Sequence, residues 1–151
     1  MLDNGTDGIV FGFLNEDKTI NVDMTSKMIE LAHSYNKEAI FHKAFDELED
    51  LDEGCRILNN LQIDRILTSG KAIYPDILKG CKTINDLHTK FPKIQFLPGG
   101  GVRIENIQDV IKTCQTKQVH MTSKKTYDGN YIGLDENQLI QLLNKIKDLF
   151  I

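Results

Sequence analysis

The residues most able to do chemistry lie where an apolar segment gives way to a polar one. The apolar pair Ile40 and Phe41 is followed directly by His42 and Lys43, and Asp46 comes three residues after Lys43. An imidazole exchanges protons near neutral pH, an ammonium attracts anions, and a carboxylate serves as acid, base or partner of the imidazole. We therefore predict that His42 and Asp46 are catalytic and that Lys43 binds ligand. A structural interpretation stays open, with His42 hydrogen-bonded in the core and Asp46 capping a turn or helix.

Three consecutive glycines form a second candidate site. Gly99, Gly100 and Gly101 follow an apolar run and precede a predicted helix. Glycines let backbone N–H groups approach an anion closely, and a helix N-terminus favours negative charge. We predict that they bind ligand, with Thr122 and Ser123 supplying the other half of the cradle, although they can equally serve only as a tight turn. The pattern is neither a Walker loop nor a G-x-G-x-x-G fingerprint, which excludes those nucleotide-binding motifs.

Hydroxyl and imidazole groups end two further apolar runs. Thr68 and Ser69 precede Gly70, and His120 lies in the last run. We predict that Thr68, Ser69 and His120 bind ligand, and that Thr68 points toward the core because it shares a strand face with Ile66. The hydroxyls can instead cap the outgoing turn, and the histidine can be satisfied by its neighbours.

Five β-rich runs must position these residues. They lie at residues 8–14, 38–45, 65–69, 94–98 and 118–123. Their spacing is that of a strand, a loop and a crossover helix, which predicts five parallel βα units in one α/β domain spanning residues 1–151. An open doubly wound sheet and part of a (β/α)8 barrel both fit. A full barrel needs about 250 residues, so this chain is too short for one.

Helical periodicity fills the intervals between the runs. We expect Asp23 to cap the first helix, Gly54 to interrupt the second, and Pro75 to lie in the first turn of the third. Asp135 starts a predicted capping box on the fifth helix, whose apolar stripe extends to Leu149.

Composition narrows the function classes. The net charge of −4 and the lack of a Lys/Arg cluster argue against nucleic acid, and no apolar run is long enough for a membrane helix. Cys55, Cys81 and Cys114 are far apart, fit no zinc spacing and fall on helical apolar stripes, so we expect buried thiols. Unpaired cysteines favour a reducing compartment, and we predict the cytoplasm.

Four segments, taken together, resemble the CutC family, named for copper homeostasis. They read TDGIVFGFL at 6–14, FHKAFD at 41–46, DRILTSG at 64–70 and PGGGV at 98–102. The resemblance implies a (β/α)8 barrel in which this chain supplies strands four to eight and lacks the first three. It also implies a cytoplasmic protein linked to copper handling, with copper(I) as the proposed ligand.

Two departures from the family pattern bear on function. The family has arginine at the position of Lys43, and lysine lacks the bidentate geometry of a guanidinium. The copper proposals for the family draw on cysteines of the early strands, and none of the cysteines here matches them. A soft thiolate site for copper(I) is therefore not visible in the sequence.

Three functions remain open from the sequence. The resemblance implies copper homeostasis, whereas the anion-binding features favour an enzyme that acts on a small phosphorylated or carboxylated metabolite. A truncated homologue without activity is the third, and the residues leave open whether the protein is an enzyme. Five strands would also leave two open sheet edges, so we expect a homo-oligomer that pairs through them.

Overall fold

A four-stranded parallel sheet forms the centre of the computed structural model, which describes residue 2 and residues 5–147. The strands pair in chain order and are β1 (Gly8–Phe11), β2 (Glu38–Phe41), β3 (Arg65–Thr68) and β4 (Gln95–Pro98). The helices are α1 (Val22–Ser34), α2 (Leu51–Asn60), α3 (Leu78–Lys90), α4 (Ile107–Cys114) and α5 (Glu136–Lys147). A short 3-10 helix, Lys43–Glu47, follows β2 directly, so the predicted second strand ends earlier than expected.

The predicted fifth parallel strand is wrong. Within residues 118–123 the described structure has a single isolated parallel bridge, between His120 and Gly99. The chain then enters an antiparallel hairpin of β5 (Lys124–Tyr127) and β6 (Asn130–Leu134). Asp128 and the following glycine both have positive φ in the turn, as a two-residue hairpin prefers. Pairing of the predicted strand with the sheet is thus limited to one residue, and regular pairing resumes only in the hairpin.

The two faces of the parallel sheet differ in burial. Phe11, Phe41, Ile66 and Phe96 share the face that the helices cover, and all four are buried. Val10 alternates with Phe11, points the other way, and is 63% exposed. The hydrophobic core therefore lies between one face of the sheet and the helices, and the opposite face is open.

The helix ends partly follow the predictions. Asn21 caps α1, because its side chain accepts the Met24 N–H at 3.0 Å, so the prediction for Asp23 is wrong. The Asp135 cap is confirmed by a 2.9 Å bond from the Gln138 N–H, whereas Pro75 lies before α3. The predicted Leu149 lies outside the described residues.

The cysteine prediction is confirmed, since Cys55, Cys81 and Cys114 are all buried. Each lies in a helix and belongs to the hydrophobic core cluster. Among the residues that the structure describes, no helix is both long and apolar enough to cross a membrane.

Two glycines let helices approach their neighbours closely. A Cβ on Gly80 of α3 would lie 1.8 Å from the carbonyl oxygen of Ser69. A Cβ on Gly54 would instead meet the side-chain ends of Leu48 at 2.4 Å and Phe45 at 3.1 Å. Gly54 therefore does not interrupt α2, and Gly80 packs α3 directly on the loop that carries Ser69.

We expect Gly80→Ala to lower the free energy of unfolding by about 2 kcal/mol, since overpacking against backbone costs roughly 1–3 kcal/mol. Gly54→Ala should cost less, because flexible side-chain ends can move and alanine gains about 1 kcal/mol in helix propensity. Urea unfolding of both variants measures the difference. Equal losses of unfolding free energy would show that the backbone next to Gly80 moves as easily as the side chains next to Gly54.

Candidate functional site

The carboxylate of Asp46 joins the segments that follow β2 and β3. It accepts hydrogen bonds from the Thr68 hydroxyl, from the Ser69 N–H and hydroxyl at 2.9 Å each, and from the Lys71 N–H at 3.3 Å. The Lys43 ammonium lies 3.1 Å away. Since only 10% of the Asp46 side chain is exposed, these bonds replace its hydration. The 3-10 helix is thereby fastened to the end of β3.

The same contacts hold Asp46 ionised. Burial alone would raise the pKa of this carboxyl, but hydrogen bonds from Thr68 and Ser69 and the charge of Lys43 outweigh it and hold the pKa below its usual value. Thr68 and Ser69 are themselves buried, and Thr68 shares the core-facing side of β3 with Ile66, as expected. A carboxylate so fully bonded is suited to positioning its neighbours.

Lys43 links this junction to the glycine loop. A Cβ on Gly100 would lie 2.6 Å from the Lys43 ammonium, so glycine is needed for the close approach. Gly100 and Gly101 have φ of 94° and 114°, conformations that favour glycine. A Cβ on Gly101 would also lie 2.1 Å from the Pro75 carbonyl oxygen. The loop conformation and its packing therefore both depend on the glycines.

A cavity of about 280 Å³ opens beside this loop. Three cationic side chains line it, from Lys43, Arg103 and Lys124, together with Gly100 and His120. A separate cavity of about 530 Å³ shares Lys43 and reaches the Asp46 junction. The smaller cavity, the cationic cavity, thus gathers positive charge from three parts of the chain around the glycine loop.

Arg103 was missed by the sequence interpretation. Its guanidinium donates to the Val102 carbonyl and to the Tyr74 hydroxyl at 2.7 Å each, and lies 5.6 Å from the Tyr74 ring centroid. An arginine two residues after three glycines was the available signal, because a guanidinium suits phosphate and carboxylate. Lys124 also lines the cavity, and its place there depends on the unpredicted hairpin.

The structure does not bring His42 and Asp46 together, because no described contact joins them. The His42 Nδ1 accepts the Ala44 N–H at 3.0 Å, and its ring packs where a Cβ on Gly12 would lie 2.5 Å away. This fixes the Nδ1 as an acceptor and leaves the Nε2 to carry a proton. The described contacts of Asp46 are instead to Lys43 and the end of β3, and the catalytic roles of His42 and Asp46 stay predictions.

The remaining predicted residues divide into two groups. Gly99 pairs with His120 in the isolated bridge, which brings this histidine to the glycine loop. Ser123 instead donates its hydroxyl to the Asp135 carbonyl at 2.7 Å, and Thr122 is the hydroxyl residue that lines the cavity. Ser123 thus connects the last segment to α5 and contributes nothing to the described cradle.

The side chains do not fit a metal centre. Among the described residues, no group of three or more histidines, cysteines, aspartates or glutamates could hold a metal ion. Burial raises the pKa of Cys55 to about 12. The Cys114 thiol donates a hydrogen bond to Cys81, and this bond together with burial raises the pKa of Cys114, whereas the same bond lowers the pKa of Cys81. Copper(I) binds thiolates that the ion can reach, and all three thiols are buried, so they are poor ligands for it.

We expect Asp46→Asn to lower the free energy of unfolding by about 2 kcal/mol at pH 7, the scale of hydrogen bonds to a charged group. Because the folded pKa of Asp46 is lowered, its stabilisation is present above about pH 4 and is lost as pH falls through the folded value. Urea unfolding from pH 7 to pH 3 measures both effects.

The matched control for this variant is Asp76→Asn. Asp76 forms an exposed ion pair with Lys79, which contributes little to stability. A pH-independent loss in Asp46→Asn, or an equal loss in the control, would contradict the proposed role of the carboxylate.

Comparison with known proteins identifies the family. The CutC family model matches residues 1–125. A CutC family protein of Treponema denticola is 35% identical over 125 residues, which cover 82% of this chain and 49% of that relative. A Dictyostelium discoideum copper homeostasis protein cutC homolog is 34% identical, over 81% of this chain and 49% of that relative.

The fold agrees with a solved structure. The crystal structure of CutC from Streptococcus agalactiae superposes with a TM-score of 0.68 at 27% identity, covering 76% of this chain and 55% of that chain. The present chain spans about half the length of the curated relatives it matches. On the extent of these matches, the chain belongs to the CutC family.

Proposed function

We propose that this chain binds a small phosphorylated or carboxylated molecule and serves copper homeostasis through it. The observation that carries the proposal is the convergence of Lys43, Arg103 and Lys124 on the loop of Gly100 and Gly101. Ammonium and guanidinium groups, together with glycine-rich backbone, are the usual recognition elements for phosphate and carboxylate. Copper homeostasis enters from the names of the relatives.

The charge balance of the cavity supports an anion. Lys43 is partly neutralised by Asp46, whereas the described contacts of Arg103 are a carbonyl and a tyrosine hydroxyl, which leave its charge uncompensated. No described ion pair involves Lys124. A volume of about 280 Å³ is at the small end of ligand sites, which favours a metabolite over a dinucleotide.

An enzymatic role for the site remains a prediction. Asp46 acts in this proposal by positioning Lys43 and Ser69. His42 is the proposed proton carrier, through the Nε2 that its bond to the Ala44 N–H leaves available. Because His42 does not line the cationic cavity, ligand binding is proposed ahead of catalysis.

Copper is not proposed as a ligand of the described residues. The cysteines are buried in three helices, and within the part of the chain that the structure describes no group of three or more metal-binding side chains accompanies them. The copper(I) expected from the family resemblance is therefore unsupported by the donor set described. A small-molecule ligand is the alternative that the observed charges favour.

We also propose that the sheet is part of a (β/α)8 barrel and that the protein is a cytoplasmic homo-oligomer. The similarity to Streptococcus agalactiae CutC and the open sheet face around Val10 support a barrel. Among the described residues β1 pairs only with β2, and its other edge is available to a second copy. Nucleic acid and membranes are not among the proposed partners.

We expect sedimentation velocity to detect a dimer or larger species at micromolar concentration. Val10→Lys should shift the protein toward monomer, since a charge on an edge strand opposes pairing. Met24→Lys, at an exposed position of α1, should leave the distribution unchanged. A monomer at every concentration, or equal effects of the two variants, would contradict pairing through β1.

We expect isothermal titration calorimetry to detect binding of inorganic phosphate at low ionic strength. Arg103→Leu and Lys124→Met should each weaken binding about tenfold, the scale of one charge-assisted hydrogen bond. Lys82→Met is the matched control, because Lys82 is exposed and paired with Asp86 on α3. Unchanged affinity in Arg103→Leu would count against the proposed site.

A parallel titration with copper(I) under reducing conditions separates the two candidate ligands. The donor set predicts no stoichiometric site. Stoichiometric copper binding that is lost on replacing Cys55, Cys81 and Cys114 by serine, together with no phosphate binding, would reverse the proposal.

A further inference from the structure

Tyr74 is a large aromatic residue at the rim of the cationic cavity, and it remains 64% exposed. It lies in the loop between β3 and α3. The carbonyl group of the next residue, Pro75, packs against Gly101. The Arg103 guanidinium donates a hydrogen bond to the Tyr74 hydroxyl and lies 5.6 Å from the centroid of the ring. The ring is thus held beside the cavity by the C-terminal end of the glycine loop and by Arg103.

The same cavity has an apolar wall. Leu67 and Met121 line it together with Tyr74, next to the cations Arg103 and Lys124. A site for an inorganic anion requires charge and hydrogen-bond donors but has no use for an exposed aromatic ring. Small-molecule sites typically combine apolar and aromatic walls with a few polar groups that fix orientation.

We propose that the ligand carries an aromatic ring beside its phosphate or carboxylate, and that Tyr74 recognises this ring by stacking. The inference rests on the proposed anion-binding function and names its ligand class. Arg103 connects the two parts, since one guanidinium both orients the Tyr74 ring and supplies uncompensated charge to the cavity. Tyr74 is thus a specificity-determining residue.

Calorimetric titration of the full chain with phenyl phosphate and methyl phosphate tests this inference. The two esters share the anionic group and differ in the ring. We expect phenyl phosphate to bind about three- to tenfold more tightly, the range that aromatic pairing provides. Tyr74→Leu should reduce this ratio to about one. The ratio is the readout, because loss of the contact between Tyr74 and Arg103 affects the affinity for both esters alike.

Two further variants complete the design. Tyr74→Phe removes the hydroxyl that meets Arg103 but retains the ring, so it should retain a preference for phenyl phosphate. Tyr35→Leu is the matched control, because Tyr35 is an exposed tyrosine at the end of α1 that lines none of the cavities described. Far-UV circular dichroism verifies that each variant is folded.

The outcomes separate the two proposals. Equal affinities of the esters for the unmodified protein, or a preference that survives Tyr74→Leu, would overturn the stacking inference while anion binding stands. Failure of both esters and of inorganic phosphate to bind would overturn the anion-binding function, and the inference with it. Loss of the preference in Tyr35→Leu would also overturn it, since the effect would not belong to Tyr74.

Discussion

The hydrogen bonding of one carboxylate determines how the site is assembled. Asp46 is nearly inaccessible to water, and a buried charge is tolerated only when donors replace its solvation. Those donors come from Thr68, Ser69, Lys71 and Lys43, so satisfying the carboxylate fixes the end of β3 relative to the segment after β2. The placement of Lys43 at the glycine loop follows from this requirement.

Close backbone packing also restrains the loop between β3 and α3, which lies beside the cavity. Gly80 brings α3 against the Ser69 carbonyl, and Gly101 meets the Pro75 carbonyl at the far end of the same loop. The loop between β3 and α3 is thus held at both ends by contacts that exclude a side chain. Arg103 adds a third connection through Tyr74. The backbone beside Arg103 therefore has little freedom to move away from the loop between β3 and α3.

The sequence was informative wherever the cause of structure is local. Strands β1 to β4 were predicted because apolar runs recur at the spacing of βα units. The Asp135 cap was predicted because its hydrogen bond joins two residues only three positions apart. The segment 118–123 was predicted as a strand for the same reason. Its apolar pattern did not reveal that the chain would turn back at Asp128 and Gly129 to pair with itself.

The site was only partly predictable, because its key contacts join residues distant in sequence. The sequence singled out Thr68, Ser69 and Lys43 separately. It did not show that the Asp46 carboxylate bonds to Thr68 and Ser69, which lie more than twenty positions away along the chain. His42 and Asp46 were singled out as neighbours in sequence, but their spacing did not show that Asp46 contacts Lys43 and Ser69. Arg103 was overlooked since its importance derives from the cavity that it lines.

The burial of the thiols and the exposure of the cations lead to the same functional conclusion. Copper(I) needs deprotonated soft donors that the ion can reach, and the thiols here are enclosed within the helical layer. The guanidinium of Arg103 has the opposite character, because it is accessible, charged and unpaired with any described carboxylate. In this chain of the CutC family, the accessible charges of the described residues therefore support the proposal of an anionic ligand. A role in copper homeostasis would then be exerted through that small molecule, and direct retention of the metal would require residues other than those described.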